Sequence, residues 1–188
     1  MKCVQCDFES DGGGWTLIQK RNSGPREEFN RGWTEYENGF GSCSGNYWLG
    51  LSTIHALTSK GHKELRIDMT DWEGNKAYAK YSIFSISGPS EFYRLTVGGY
   101  SGNGGDKFNK VHDQRRFSTK DKDNDESHNA SCGLNWKSGW WFNRCFDSNL
   151  NGLYIELGEE KQLTANIGIT WNWKKGFHSM KAVEMKIR

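Results

Sequence analysis

Asp121-Lys122-Asp123-Asn124-Asp125-Glu126, running on through Ser127-His128-Asn129-Ala130-Ser131 to Cys132 and later Cys145, is the stretch on which the fold turns. The opening six residues set four carboxylates against one lysine, with no helical pattern to dilute the charge. From Gly98 to Leu153 turn-forming residues are spaced too closely to leave much room for regular elements. That third of the chain must be held by something besides backbone ladders, and a metal or a disulfide is the natural candidate. Calcium takes roughly six to eight hard oxygens from carboxylates, carbonyls and water, so aspartates at alternate positions make a reasonable cage. An EF-hand is excluded: counting from Asp121, Glu126 stands where that loop needs Gly and Cys132 where it needs Glu. On its own the acidic run reads as a solvated charged loop. Cys132 and Cys145 flank Trp136 and Trp140-Trp141-Phe142, and they are the first choice for a disulfide, which would stabilise by about 3 kcal/mol in the chain-entropy view.

Around this segment the chain reads as strands and turns. Two short helices are expected: one capped by Asn30, carrying Trp33 and Tyr36 with Phe40 just past it, and one from Ile54 to Lys60, capped by Ser52 or Thr53 and stopped by Gly61. Strand character marks Trp15 to Lys20, Glu64 to Met69, Tyr78 to Ile86, Phe92 to Val97, Ile167 to Trp171 and Val183 to Ile187. Helices are too few for a doubly wound α/β fold. No linker, repeat or low-complexity window divides the chain, so residues 1–188 read as a single domain.

Composition agrees with a compact, loop-rich body. The 188 residues include nine Trp, seven Tyr and ten Phe but are only 35% hydrophobic, so burial is concentrated in rings. A chain this long can bury roughly 70% of its unfolded surface. With 25 Lys+Arg against 23 Asp+Glu the net charge is +2, which points to no nucleic-acid partner. No run approaches the roughly 18 apolar residues of a membrane span. The start, Met1-Lys2-Cys3-Val4-Gln5-Cys6-Asp7, lacks the apolar core of a signal peptide. Five cysteines leave one without a partner, which is expected if a preceding segment once supplied it.

Other chemistries find little footing. Cys3 and Cys6 form a Cys-x-x-Cys without the second pair of a zinc ribbon or the helix of a thioredoxin-like motif. The five histidines are dispersed, with no i, i+4 pair to ligate zinc. Gly41-Ser42-Cys43-Ser44-Gly45 lacks the strand-to-helix setting of a nucleophile elbow, and the glycines from Gly98 to Gly105 lack the Lys-Ser/Thr of a phosphate loop. No nucleophile, base and orienting group stand together, so the chain is expected not to be an enzyme. Asn129-Ala130-Ser131 is an N-glycosylation sequon.

Larger blocks carry more. Cys6-Asp7-Phe8-Glu9-Ser10-Asp11-Gly12-Gly13-Gly14-Trp15-Thr16, Gly39-Phe40-Gly41, Tyr47-Trp48-Leu49-Gly50-Leu51 and Phe117-Ser118-Thr119-Lys120-Asp121 occur in that order. They are followed by Gly139-Trp140-Trp141-Phe142, Ser148-Asn149-Leu150-Asn151-Gly152 and the ending Glu184-Met185-Lys186-Ile187-Arg188. In this arrangement the chain resembles the fibrinogen C-terminal, or fibrinogen-related, domain, as found in ficolins, tachylectins and tenascins. The resemblance implies an α+β fold: a twisted antiparallel sheet with short helices and a loop-rich, calcium-binding C-terminal subdomain. The family's first segment, which normally supplies a cysteine for Cys6, is missing, so either Cys3 or Cys43 is expected to take its place.

The resemblance also implies a calcium ion held by the carboxylates of Asp123 and Asp125 and the carbonyls of Ser127 and Asn129, with Asp121 outside the set. In lectin members a site beside this loop binds acetyl groups, an apolar hole taking the methyl and backbone N–H groups the carbonyl. Here the walls would be Trp136, Phe146 and the Phe177-His178 pair. The donors would be Cys145 and Phe146, aimed by a cis Arg144–Cys145 peptide. The chain departs from that pattern in having Phe146 where acetyl-binding members usually have His. The leading expectation is a secreted, calcium-dependent lectin-like module of innate immunity, binding acetylated glycans or microbial surface polysaccharides with avidity from an oligomer. The alternative is an extracellular matrix or signalling domain that uses the same fold to meet a protein partner.

Overall fold

The computed structural model describes residues 3–156, 167–171 and 179–188. Its centre is an antiparallel sheet built from β1 (Cys6–Asp7), β2 (Trp15–Arg21), β3 (Phe40–Gly41), β4 (Tyr47–Trp48), β5 (Leu65–Thr70), β6 (Lys76–Ile86), β7 (Leu95–Gly102) and β10 (Ala182–Ile187). The strands run in the order β3-β4-β2-β10-β5-β6-β7, with β1 added beside β2. The chain's last strand thus lies in the middle, between β2 and β5. Alternation explains the register: Leu65, Ile67 and Met69 of β5 are buried together with Val183, Met185 and Ile187 of β10, while Arg66 and Asp68 face the other side.

That outer side is charged and internally paired. The Lys186 ammonium, 2% exposed, lies 2.5 Å from Asp7 and 2.6 Å from Asp68. Burial works against the Asp7 carboxylate, yet Lys186 and the N–H groups of Glu9 and Ser10 hold its carboxyl below the usual range. This clasp pins the N-terminal turn to the central strand.

On the other side α1 (Trp33–Asn38) and α2 (Leu51–Ser59) pack with the rings. Trp48, Phe117 and Trp141 meet at 5.1–6.2 Å between centroids, and Tyr36 and Phe108 extend the cluster. Beyond them lie α3 (Asn109–His112), α4 (Cys132–Asn135) and a small pair, β8 (Ser148–Asn149) with β9 (Thr170–Trp171). Buried polar side chains fasten this half to the sheet. Gln19 donates to the Leu150 carbonyl at 2.8 Å and to the Asn151 side-chain oxygen at 3.1 Å, and Arg21 to the Gly152 carbonyl at 2.7 Å, while Asn151 donates to the Gly139 carbonyl at 2.9 Å within that half.

Three readings are corrected. The strand expected from Phe92 begins at Leu95, because Phe92 and Tyr93 have φ of 54° and 51° and turn the chain, and it runs on to Gly102. The helices start at Gly32 and Gly50 rather than at Asn30, Ser52 or Thr53. In the first of these, the Asp121 carboxylate, remote in sequence, accepts the Trp33 N–H at 2.9 Å. Neither Cys3 nor Cys43 pairs with Cys6; they pair with each other. Cys3 reaches the β3–β4 turn, while Cys6 stays exposed as a free cysteine among the described residues.

Candidate functional site

The acidic loop is shaped by its one uncharged member. Asn124 turns inward, its amide donating to the Phe117 carbonyl at 2.7 Å and its N–H to the Ser118 hydroxyl at 3.0 Å. Ser118 is itself paired with Trp140 through two backbone bonds of 2.9 and 3.1 Å. Asp121 is committed elsewhere, to Trp33 and to the Thr119 hydroxyl at 2.7 Å. Glu126 pairs with Arg115 at 3.2 Å. Asp123 and Asp125 are left side by side.

The Asp125 carboxylate accepts the N–H of Ser127 at 2.7 Å and of Cys132 at 2.8 Å, and Asp123 accepts the N–H of Asp125 at 3.2 Å. Burial raises the Asp125 carboxyl above its ordinary value, and the Asp123 carboxylate against it adds to the rise, over the opposing pull of those N–H groups. The carbonyls of Ser127 and Asn129 accept no hydrogen bond among the described residues. Two adjoining carboxylates and two uncommitted carbonyls are hard oxygens of the kind calcium takes, and the donor set fits that ion. No group of three or more His, Cys, Asp or Glu side chains gathers among the described residues, so the fit rests on these four and on water.

The bridged segment closes over the loop. Cys132 and Cys145 form a disulfide, and the Arg144–Cys145 peptide is cis. Glu126 N–H donates to Asn143 O at 3.2 Å and Arg144 Nε to Glu126 O at 3.3 Å, fastening loop to bridge. The N–H groups of Cys145 and Phe146 find no acceptor among the described residues. Those of Asp147 and Ser148 both donate to Nε2 of His112 at 3.3 Å, while its Nδ1–H donates to Trp141 O at 2.8 Å. Burial lowers the His112 pKa to about 4, so the ring is neutral and its proton sits on Nδ1. His112 reads in the sequence as an ordinary histidine, and no motif marks its role in holding the 147–148 backbone.

Trp136 and Phe146, both half-buried, pack edge-to-face at 5.1 Å, and Phe142 lies 6.0 Å behind Phe146. The two rings touch each other rather than standing apart across a slot. Phe177 and His178 lie outside the described residues.

With this geometry set out, comparison with known proteins is direct. The family described as "Fibrinogen beta and gamma chains, C-terminal globular domain" matches residues 2–188. The chain belongs to the fibrinogen C-terminal domain family. Among curated relatives it is 48% identical to human angiopoietin-related protein 7, covering 98% of this chain and 52% of that protein. It is 45% identical to fibrinogen-like protein 1 of Rattus norvegicus, with 98% and 62% covered. The chain therefore spans about half to three-fifths of the length of these relatives. Among solved structures, the fibrinogen-like globe domain of human ANGPTL2 superposes with a TM-score of 0.91 at 41% identity, covering 98% of this chain and 84% of that one. Lamprey fibrin D-dimer, complexed with the peptide ligand Gly-His-Arg-Pro-amide, gives 0.85 at 34% identity, with 98% and 63% covered. The antiparallel sheet, sparse short helices and disulfides of the present chain are those of a fibrinogen-like globe. No helix among the described residues is long and apolar enough to cross a membrane.

Proposed function

We propose that this fibrinogen-type domain is an extracellular, non-enzymatic recognition module that binds a protein partner. Its binding face is formed by the 121–129 loop and the bridged 132–146 segment. Calcium, held by Asp123, Asp125 and the carbonyls of Ser127 and Asn129, keeps that face in shape. The observation that carries this reading is the contact between Trp136 and Phe146: rings already packed on each other offer an apolar surface to a side chain rather than a hole to an acetyl methyl. The curated relatives, angiopoietin-related and fibrinogen-like proteins, and the peptide ligand of the lamprey relative support the same choice. Two disulfides among the described residues accord with an oxidising, extracellular setting.

A second reading is an acetyl-binding lectin for glycans or microbial polysaccharides, acting in an oligomer. The N–H groups of Cys145 and Phe146, without an acceptor among the described residues, favour it as donors to a carbonyl oxygen. One experiment separates the two. A tetramerised form of the domain is applied to cells, with and without prior protease treatment and with and without free N-acetylglucosamine. Binding that disappears after protease or chelator and survives the sugar is the expected result. Abolition by the sugar, with protease having no effect, would replace this reading with the lectin.

A further inference from the structure

We propose that Asn129 carries an N-linked glycan at the rim of the candidate site. The proposal rests on the extracellular reading above. Asn129-Ala130-Ser131 is the one Asn-x-Ser/Thr sequence in the chain. Asn129 and Ala130 are exposed, and the Asn129 side-chain amide makes no hydrogen bond to any described residue. The group offered to a cation at this position is the backbone carbonyl, so ligation and glycosylation use opposite ends of the residue and do not compete.

The neighbourhood supplies a reason for a cover. Ser131 completes the sequon in the extended chain and, once folded, caps α4 by accepting the Leu134 N–H at 3.4 Å. Leu134 is 59% exposed, one of four large apolar side chains among the described residues left in water. A glycan on Asn129 would stand on the same short loop that leads into the helix carrying that leucine, at the edge of the proposed binding face.

The transfer is balanced without any redox partner. The Asn129 Nδ2 attacks C1 of the first sugar of a lipid-diphosphate-linked oligosaccharide. The new N–C bond forms as the C–O bond to the diphosphate breaks, the lipid diphosphate leaves, and the amide gives up one proton.

The test is intact-mass and peptide mass spectrometry on the full chain secreted from animal cells behind a supplied leader peptide. A mass increase removed by peptide N-glycosidase, leaving Asp at 129, is expected; Asn129→Gln abolishes it, and Ser131→Thr, which preserves the sequon, retains it. A secreted, disulfide-bonded chain with Asn129 unmodified overturns the proposal and leaves the extracellular reading standing. Disulfide-linked peptides are read in the same spectra, and finding all five cysteines reduced would count against that reading independently of the glycan.

Discussion

Gly139 shows how much a single position decides. A Cβ built there would lie 2.6 Å from the Tyr36 ring and 2.8 Å from that of Phe117, both fixed in the aromatic cluster. Gly139→Ala is expected to cost about 1–3 kcal/mol through overpacking, read as a lower midpoint in denaturant with an unchanged slope. The glycine block before Trp140 is plain in the sequence, but this reason for it is visible only once Tyr36 and Phe117 meet. His112 is similar. Its neutral ring takes two N–H groups and gives one, and with a folded pKa near 4 against an ordinary 6.5 the unfolded chain binds the extra proton. The stability it supplies is therefore full above pH 6.5 and lost as pH falls from 6.5 toward 4, about 3 kcal/mol in all. Thermal melts between pH 7 and 4 should show that loss, and His112→Gln should flatten it. The Asp7 clasp weakens in a separate window below the ordinary carboxylate range, because its folded pKa is depressed.

Among the elements, legibility followed local pattern. The alternation in Leu65-Arg66-Ile67-Asp68-Met69 could be read directly and matches β5 within a residue. Phe92-Tyr93 could not, since aromatic residues favour strands. What turns them is tertiary: Trp141 Nε1 donates to Tyr93 O at 2.8 Å and Phe117 N–H to Phe92 O at 2.9 Å. The start of α1 is hidden in the sequence for the same reason, its N-terminal acceptor coming from Asp121. The Cys132–Cys145 pair was legible from its flanking tryptophans, whereas the Cys3–Cys43 pair depends on the chain before β1 meeting the β3–β4 turn. Replacing both Cys132 and Cys145 by Ser should lower stability by about 3 kcal/mol. Hydrogen exchange should rise first in 121–131 and 143–148, which the bridge holds together, and remain slow in β5 and β10.

At the scale of the molecule, a sheet with its last strand at the centre carries a loop-built face whose order depends on polar fasteners. Gln19 and Arg21 anchor that face from below, Asn151 and His112 hold it from within, and the bridge from above. The acidic run alone reads as a solvated loop. The differing commitments of its members, Asp121 to α1, Glu126 to Arg115, Asp123 and Asp125 to each other, single out the two aspartates on which the proposed calcium site rests. Calcium binding to the folded state should raise the melting temperature, the stabilisation reaching about 2.7 kcal/mol at a hundredfold excess over Kd. The decisive measurement is the melting temperature in calcium against chelator for the parent chain, Asp123→Ala and Asp121→Asn. The account predicts a shift in the parent chain that persists in Asp121→Asn and vanishes in Asp123→Ala. A full shift in Asp123→Ala, or none in the parent chain, would contradict it.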